Sequence, residues 1–262
     1  MEDLQILDED EENYQILSKQ DQPDIDYLKG LKETSHVFLT VNDFVIEEPD
    51  FRDFTEEEFI EYMEDNTNEE ILKKFNNLNI PEDFRSSMSN VYKSKDGKNS
   101  IFIYFLPTST QKTNVGIDVI KSFCKLIVLL GCNEGVMISE KPLTSKSRES
   151  LESSNVKSYC PRDQVYNVIS YTDDMFINVV DHCLTPEVLK IYSGDELDTF
   201  LEKEKMNKNH FPKMIISDPI AKFYRARVGD VIMMKRKTGN RDTLINEQIV
   251  YRVIVYGITK KK

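Results

Sequence analysis

Two short stretches decide how the C-terminal part of the chain folds: Ser217-Asp218-Pro219-Ile220-Ala221-Lys222-Phe223-Tyr224 and Gly229-Asp230-Val231-Ile232. Asp218 is a typical N-cap residue, because its carboxylate accepts hydrogen bonds from backbone N–H groups, and Pro219 suits the first helical position. Gly229-Asp230 favours a tight turn into the apolar run that ends at Met234. The sequence therefore predicts a short helix, a turn and a strand, with Ile249 to Val255 as the partner strand.

Two further motifs flank these stretches, Phe211-Pro212-Lys213-Met214 upstream and Tyr251-Arg252-Val253 downstream. In this order the motifs resemble the assembly domain of the shared fifth subunit of eukaryotic-type RNA polymerases, a family that includes a shorter archaeal counterpart. That family has the pattern LP-x-I-x-x-x-DP-x-x-R, then GDV, then YR. Phe211, Met214 and Lys222 replace the usual Leu, Ile and Arg, and the hairpin from Lys237 to Gln248 is longer than in the family.

The resemblance continues upstream through Ile101 to Leu106, Val115 to Cys124 and Asn178 to Glu187. These segments are similar to the family's jaw domain and its junction with the assembly domain. Because the archaeal counterpart consists of the assembly domain alone, this chain resembles the eukaryotic or large-DNA-virus form. The resemblance implies an α/β N-terminal jaw domain with a restriction-endonuclease-like fold and no active site, followed by a small α+β assembly domain with a mixed sheet.

The implied function is that of a non-catalytic subunit of a DNA-directed RNA polymerase, located in the nucleus of a cell or in the virion and host cytoplasm. The assembly domain would dock on the largest subunit, and the jaw would lie near downstream double-stranded DNA without reading its sequence. The residues expected to dock are Pro212, Asp218, Pro219, Lys222, Gly229, Arg236, Tyr251 and Arg252. Lys235, Lys237 and Arg241 are candidates for phosphate contact. For Asp218, Pro219 and Gly229, the helix cap and the turn alone also explain the residue.

Charge is distributed unevenly along the 262 residues, whose net charge is −12. Residues 1–70 hold 24 acidic and 4 basic side chains, whereas residues 211–262 hold 12 basic and 4 acidic ones. The acidic end is typical of a solvated surface, and residues 1–23 are expected to be a flexible tail. The basic end, which includes Arg225, suits either nucleic-acid phosphates or a carboxylate-rich protein partner.

Composition predicts two domains with packed cores, residues 24–183 and 184–262, joined at Leu184-Thr185-Pro186-Glu187. No apolar run approaches the roughly 18 residues of a membrane span, and no signal peptide is indicated. The cysteines Cys124, Cys132, Cys160 and Cys183 are widely spaced, which favours free thiols over a disulfide or zinc framework.

Helices and strands are predicted to alternate through the N-terminal part, which indicates an α/β layer structure. Thr55 with Glu58, and Ser193 with Glu196, have the spacing of a capping box. Helices are expected over Ile25 to Thr34, from Thr55, from Ile120 to Leu130 and over Thr144 to Leu151. Strands are expected over Ile101 to Leu106, Gly135 to Ile138, Val165 to Tyr171 and Met175 to Val180. The helix that follows Ser193 is expected to turn Leu197, Phe200 and Leu201 inward and to end at Asn207 to His210, before a strand from Met214 to Ile216.

Catalysis, cofactors and metals are not predicted. A metal-dependent nuclease of this fold needs an acidic residue two positions before a lysine, and Ser139-Glu140-Lys141 puts serine there. His182-Cys183 has no third residue at the spacing of a metal-ligand motif, and His36 and His210 are isolated in the sequence. Phosphate-loop, dinucleotide and nucleophile-elbow motifs are missing from the sequence.

One alternative stays open: a free-standing nucleic-acid-binding or regulatory protein derived from the same fold. It would use the basic hairpin from Lys235 to Arg241 on phosphates, and its affinity would fall steeply with salt.

Overall fold

The computed structural model describes residues 24–111, 114–152, 167–237 and 247–257. Its helices are α1 (Ile25–Val41), α2 (Glu56–Asp65), α3 (Glu69–Asn77), α4 (Phe84–Ser87), α5 (Ile117–Leu129), α6 (Ser145–Glu152), α7 (Asp173–Asp181), α8 (Gly194–Glu204) and α9 (Pro219–Phe223). Its strands are β1 (Asn90–Lys93), β2 (Ser100–Phe105), β3 (Glu134–Ser139), β4 (Asn167–Thr172), β5 (Glu187–Tyr192), β6 (Lys213–Ile215), β7 (Val231–Lys237) and β8 (Glu247–Val255). In these ranges, no helix is long and apolar enough to cross a membrane.

The first sheet has the order β1-β2-β3-β4, with β1 antiparallel to β2 and the other neighbours parallel. Strand β2 is apolar on both faces because helices cover both. Ile101, Ile103 and Phe105 pack into a cluster with residues of α1, α2 and α7. Phe102 and Tyr104 pack on the other side with α3 and α5. The prediction of a central strand covered on both faces is confirmed.

Most N-terminal elements lie where the sequence predicts them. The capping box of Thr55 and Glu58 is present, and α5 ends before Gly131, which has a positive φ of 66°. Helix α6 agrees within one residue, and β4 agrees over the described part of its range. The predicted N-terminal tail, Cys160, Arg241 and most of the long hairpin lie outside the described residues.

Two predictions in this part are wrong. The first helix does not stop at Thr34 but continues to Val41, because Phe38 and Leu39 continue its buried face. Met175 to Val180 is not a strand but lies in α7. There Phe176 and Val179 are buried at the spacing of a helical face, and Asp173 and Asp174 form an acidic first turn that suits a helix N-terminus.

The second sheet has the order β5-β7-β8-β6, in which only β6 and β8 are parallel. This agrees with the predicted mixed sheet, and the predicted strands at Ile249 and Met214 are confirmed within two residues. The strand at Val231 begins as predicted but continues three residues beyond Met234. On one face α9 covers a cluster that includes Met214, Ile232 and Ile254. On the other face α8 covers Val231 and Val253. The two faces are called the α9 face and the α8 face below.

The start and end of α8 differ from expectation. Ser193 precedes the helix as predicted, but its side chain makes no capping hydrogen bond. The Glu196 carboxylate, which a capping box would turn back onto the backbone, pairs instead with Lys190 at 2.6 Å. The helix ends at Glu204, before the predicted Asn207, because Lys205 adopts the left-handed conformation with φ of 51°. Its predicted inward face is confirmed: Leu197 is buried, and Phe200 and Leu201 pack beside it.

Candidate docking surface on the C-terminal sheet

Helix α9 is capped as the sequence predicts. The Asp218 carboxylate accepts a hydrogen bond of 2.9 Å from the backbone N–H of Ile220, and Pro219 is the first helical residue. The backbone N–H of Asp218 also donates to the carbonyl of Ile215, which ties the helix to the end of β6. A cap of this kind contributes about 1 kcal/mol.

The end of α9 carries a feature that the sequence did not reveal. Arg225 has φ of 53°, and the N–H groups of Arg225 and Ala226 close the helix by donating to the carbonyls of Lys222 and Ala221. This position usually holds glycine. The Arg225 guanidinium pairs with Glu134 on β3 and lies 5.9 Å from the centre of the Phe44 ring. Arg225 therefore links the segment after α9, which packs on the second sheet, to β3 of the first sheet.

Helix α9 contributes to the cores of both sheets. Ala221 is buried against the second sheet, whereas Phe223 is buried in the core of the first. The Phe223 ring centre lies 5.3 Å from that of Phe38 and 5.7 Å from that of Phe176. Asn42 at the end of α1 donates a hydrogen bond of 2.9 Å to the carbonyl of Phe223. The helix is thus held from both sides.

The turn at Gly229-Asp230 is confirmed and is anchored to β8. Gly229 has φ of 98°, which favours glycine, and its N–H donates to the carbonyl of Ile254 at 2.9 Å. The Asp230 carboxylate accepts a hydrogen bond of 2.7 Å from the backbone N–H of Arg227. These contacts explain Gly229 and Asp230 without a partner protein.

The docking residues predicted from the sequence fall on different faces of the second sheet. Side chains alternate along a strand, so Arg236 and Arg252 lie with Ile232 and Ile254 on the α9 face. Tyr251 lies on the α8 face, where its ring centre is 5.5 Å from that of Phe200 and 5.8 Å from that of Phe211. Burial raises the pKa of Tyr251. Pro212 is exposed beside β8, and Lys222 is half-buried on α9.

The candidate phosphate-binding residues are only partly brought together. Lys235 and Lys237 lie on the α8 face, and Lys235 pairs with the carboxylates of Glu187 and Glu247, each at 3.3 Å. Hydrogen bonds to these two carboxylates raise the pKa of Lys235. Much of the Lys235 charge is therefore balanced within the chain.

At the carboxyl ends of β2 and β3 the structure forms a closed polar network. Arg85 binds the buried carboxylate of Asp173 through two hydrogen bonds of 2.5 and 2.7 Å and also donates to the carbonyl of Leu106. The Ser139 hydroxyl donates to the carbonyl of Lys141, and Glu140 accepts a hydrogen bond from Thr108. No sequence pattern signals the Arg85–Asp173 pair, because its partners are 88 positions apart.

The remaining candidate ligands are dispersed. His182 ends α7, where its Nδ1 accepts a hydrogen bond from the backbone N–H of Leu184, and Cys183 is exposed. His210 lies in a short turn before β6. His36 bonds to Glu48, which belongs to a buried network with Lys32. Over the described ranges, no group of three or more His, Cys, Asp or Glu side chains is placed to hold a metal ion.

The second sheet thus combines a capped helix and two arginines on its α9 face with an aromatic cluster on its α8 face. The model of the family "RNA polymerase Rpb5, C-terminal domain" matches residues 177–254. The DNA-directed RNA polymerase subunit Rpo5 of Methanothrix thermoacetophila is 35% identical over 77 residues, which cover 29% of this chain and 92% of the relative.

Longer relatives extend the similarity into the N-terminal part. The subunit RPABC1 of DNA-directed RNA polymerases I, II, and III from Caenorhabditis briggsae is 20% identical over 160 residues, 61% of this chain and 68% of the relative. The corresponding subunit of Dictyostelium discoideum is 21% identical over 163 residues, 62% of this chain and 76% of the relative. The chain therefore belongs to the Rpb5 family, whose members are accessory, non-catalytic subunits of RNA polymerase.

Proposed function

We propose that this chain docks on the largest subunit of a DNA-directed RNA polymerase through residues 184–262, and that residues 24–183 form part of the jaw around downstream DNA. The observation that carries the first half of the proposal is the extent of the archaeal match. It covers 92% of the Rpo5 relative but only 29% of this chain. That relative is a polymerase subunit made almost entirely of the C-terminal unit. The C-terminal unit is therefore the part of this chain that we expect to bind the rest of the polymerase.

The α9 face offers the stronger docking surface within that unit. It combines the capped helix α9 with Arg236 and Arg252 on neighbouring strands. The proposed contacts there are made by Pro219, Lys222, Arg236 and Arg252. Asp218 and Gly229 shape this surface through the cap and the turn, whereas Pro212 and Tyr251 extend it around the edge formed by β6 and β8.

The charge of the N-terminal helices supports an orientation for the jaw. Helices α1, α2 and α7, which cover one face of the first sheet, hold 11 acidic and 2 basic side chains. Helices α3, α5 and α6 hold 5 acidic and 6 basic ones. DNA phosphates repel the first side, so the side formed by α3, α5 and α6 is the one that would approach the DNA backbone.

The alternative of a free-standing nucleic-acid binder has weaker support. It relies on the cations from Lys235 to Arg241 to bind phosphates, and Lys235 is already paired with two carboxylates. If the chain serves a cellular polymerase, it acts in the nucleus; if it serves a viral one, it acts in the virion and the host cytoplasm.

Affinity purification of the tagged chain from its native source tests the proposal. At about 0.5 M salt, charge contacts are screened beyond a few ångströms, so a large docked interface should persist. We expect the two largest polymerase subunits in amounts equal to this chain, and activity in a transcription-elongation assay. Recovery of the chain alone, or with nucleic acid only at low salt, would overturn the polymerase role.

A further inference from the structure

Strand β8 has an incompletely paired edge. It spans Glu247–Val255, and residues 247–253 pair with β7 on one side. On the other side β6 pairs only with residues 253–255. Residues 247–252 therefore have no neighbouring strand on that side in the part of the chain that the structure describes.

The hydrogen bonds at the end of β8 show which backbone groups point to this edge. Val253 donates its N–H to the carbonyl of Pro212 on the β6 side, whereas Ile254 donates to the carbonyl of Asp230 on the β7 side. Successive residues of a strand direct their N–H and C=O groups to opposite edges. Ile249 and Tyr251 thus point their backbone groups to the open edge, and no described residue bonds to those N–H groups.

The side chains beside this edge differ between its two faces. On the α8 face lie Ile249, which is 43% exposed, and the half-buried Tyr251. On the α9 face lie Val250, Arg252 and, across the strand pair, Arg236. Within the described ranges neither arginine is paired with a carboxylate, in contrast to Lys235 on the opposite face. The α8-face flank therefore has the apolar side chains of Ile249 and Tyr251 beside an internally balanced Lys235–Glu247 ion pair, whereas the α9-face flank has two arginines without a carboxylate partner.

We propose that this edge accepts an extended segment of another polymerase subunit as an added β-strand. The segment would be about five or six residues long and would alternate apolar residues, facing Ile249 and Tyr251, with acidic residues, facing Arg252 and Arg236. This inference rests on the proposed function and specifies how the docking takes place. It also places Tyr251 and Arg252, on opposite faces of the sheet, in contact with one partner strand.

Charge selects this occupant over a second copy of the chain. Two copies that paired through their β8 edges about a two-fold axis would bring the same faces together. The arginine flank of one copy would then adjoin that of the other, and like charges across neighbouring strands are destabilising. An acidic partner strand balances the same charges. An unpaired strand edge also favours aggregation through pairing with other chains, and a bound partner strand would prevent this.

Hydrogen exchange of the backbone amides tests the proposal directly. The exchange of the fragment 247–252 is compared between the free chain and the assembled polymerase. We expect two amides, those of Ile249 and Tyr251, to exchange at least about tenfold more slowly after assembly, because they gain hydrogen bonds. The amides of Gln248 and Val250, which point to β7, serve as an internal control. Slow exchange of Ile249 and Tyr251 already in the free chain, or no change after assembly, would overturn strand addition.

Neighbouring charge reversals provide a second test. Arg236→Glu and Lys237→Glu change adjacent exposed cations of β7 that lie on opposite faces, so they perturb net charge equally. We expect Arg236→Glu to reduce recovery of the other subunits at least about fivefold and Lys237→Glu to leave it unchanged. Equal effects of the two variants would argue against the predicted acidic flank. Failure of the unaltered chain to recover the subunits would reject the proposed function and strand addition together, whereas recovery without amide protection would reject strand addition alone.

Discussion

The substitution Glu48→Gln tests whether the buried network of the N-terminal unit stabilises the fold. Lys32 is fully buried on α1, and its ammonium group donates hydrogen bonds to Glu48, to Tyr92 and to the carbonyl of Met88, at 2.9 to 3.0 Å. Glu48 also bonds to His36 at 2.7 Å, to Tyr92 at 2.8 Å and to Asn90 at 3.0 Å. This one carboxylate therefore joins α1 to β1.

The expected loss follows from these contacts. Glutamine keeps one acceptor oxygen but replaces the other with a donor, and it leaves the Lys32 ammonium without a counter-charge. Removal of one partner of a buried ion pair costs about 3–5 kcal/mol. Each hydrogen bond to a charged group contributes about 1.5–3 kcal/mol, which gives a loss of the same size. We expect Glu48→Gln to lower the free energy of unfolding by about 3–5 kcal/mol, or the melting temperature by about 10 °C.

The dependence on pH provides a second readout. Burial opposes ionisation of Glu48, but His36, Lys32 and Asn90 outweigh it and hold the pKa of the carboxyl well below its usual 4.5. A lowered pKa in the folded state means that Glu48 contributes stability above about pH 4.5, and that this contribution is lost as the pH falls through the folded-state value. The Glu48→Gln variant should therefore lose less stability on acidification than the unaltered protein.

Urea denaturation at neutral and acidic pH measures both effects. Glu47→Gln is the matched control. Glu47 is the exposed neighbour of Glu48, so this substitution removes the same charge but breaks none of the network's hydrogen bonds. A difference between the two variants of less than about 0.5 kcal/mol would refute the stabilising role of the network, because exposed substitutions fall within that range.

Three further predictions concern α9 and the turn that follows it. Phe223→Ala should lower the free energy of unfolding by about 3–5 kcal/mol, because it opens a cavity between Phe38 and Phe176; a loss below about 1 kcal/mol in urea denaturation would contradict its place in the core. Asp218→Ala should lower stability by about 1 kcal/mol in thermal denaturation, and Asp218→Asn by less, since asparagine retains an acceptor; equal losses would count against the cap. Gly229→Ala should cost about 1–3 kcal/mol through backbone strain alone, because an added Cβ meets no atom within 4 Å; an unchanged urea midpoint would show that the turn relaxes.

Local signals in the sequence predicted much of the fold. The Asp218-Pro219 cap, the Gly229 turn and the Thr55–Glu58 capping box each depend on residues a few positions apart, and all three are present. The apolar run that includes Phe102 and Tyr104 is also a local signal, and it correctly predicted a strand covered on both faces. Prediction failed where one pattern fits two structures. Met175 to Val180 is apolar enough for a strand, and only the acidic residues before it, which form the first turn of α7, favour a helix.

The features that the sequence did not reveal depend on contacts between distant parts of the chain. Arg225 lies in a basic segment that suits phosphate binding, but its partner is Glu134, 91 positions away. The open edge of β8 follows from the short length of β6. The sequence predicted that length and placed the strand one residue late, but it could not show which part of β8 the strand pairs with. The docking residues themselves remain predictions, and the structure divides them between two faces.

The position of Phe223 has a consequence for the order in which the protein is completed during synthesis. The core between α1, α7 and the first sheet includes this residue, and the hydrogen bond from Asn42 to Phe223 spans 181 positions. At about 5–20 residues per second, the ribosome needs about 10–40 s to travel that distance. Until then the nascent N-terminal unit has an unfilled apolar site next to Phe38. Only when α9 has been synthesised does the N-terminal unit obtain its last core residue.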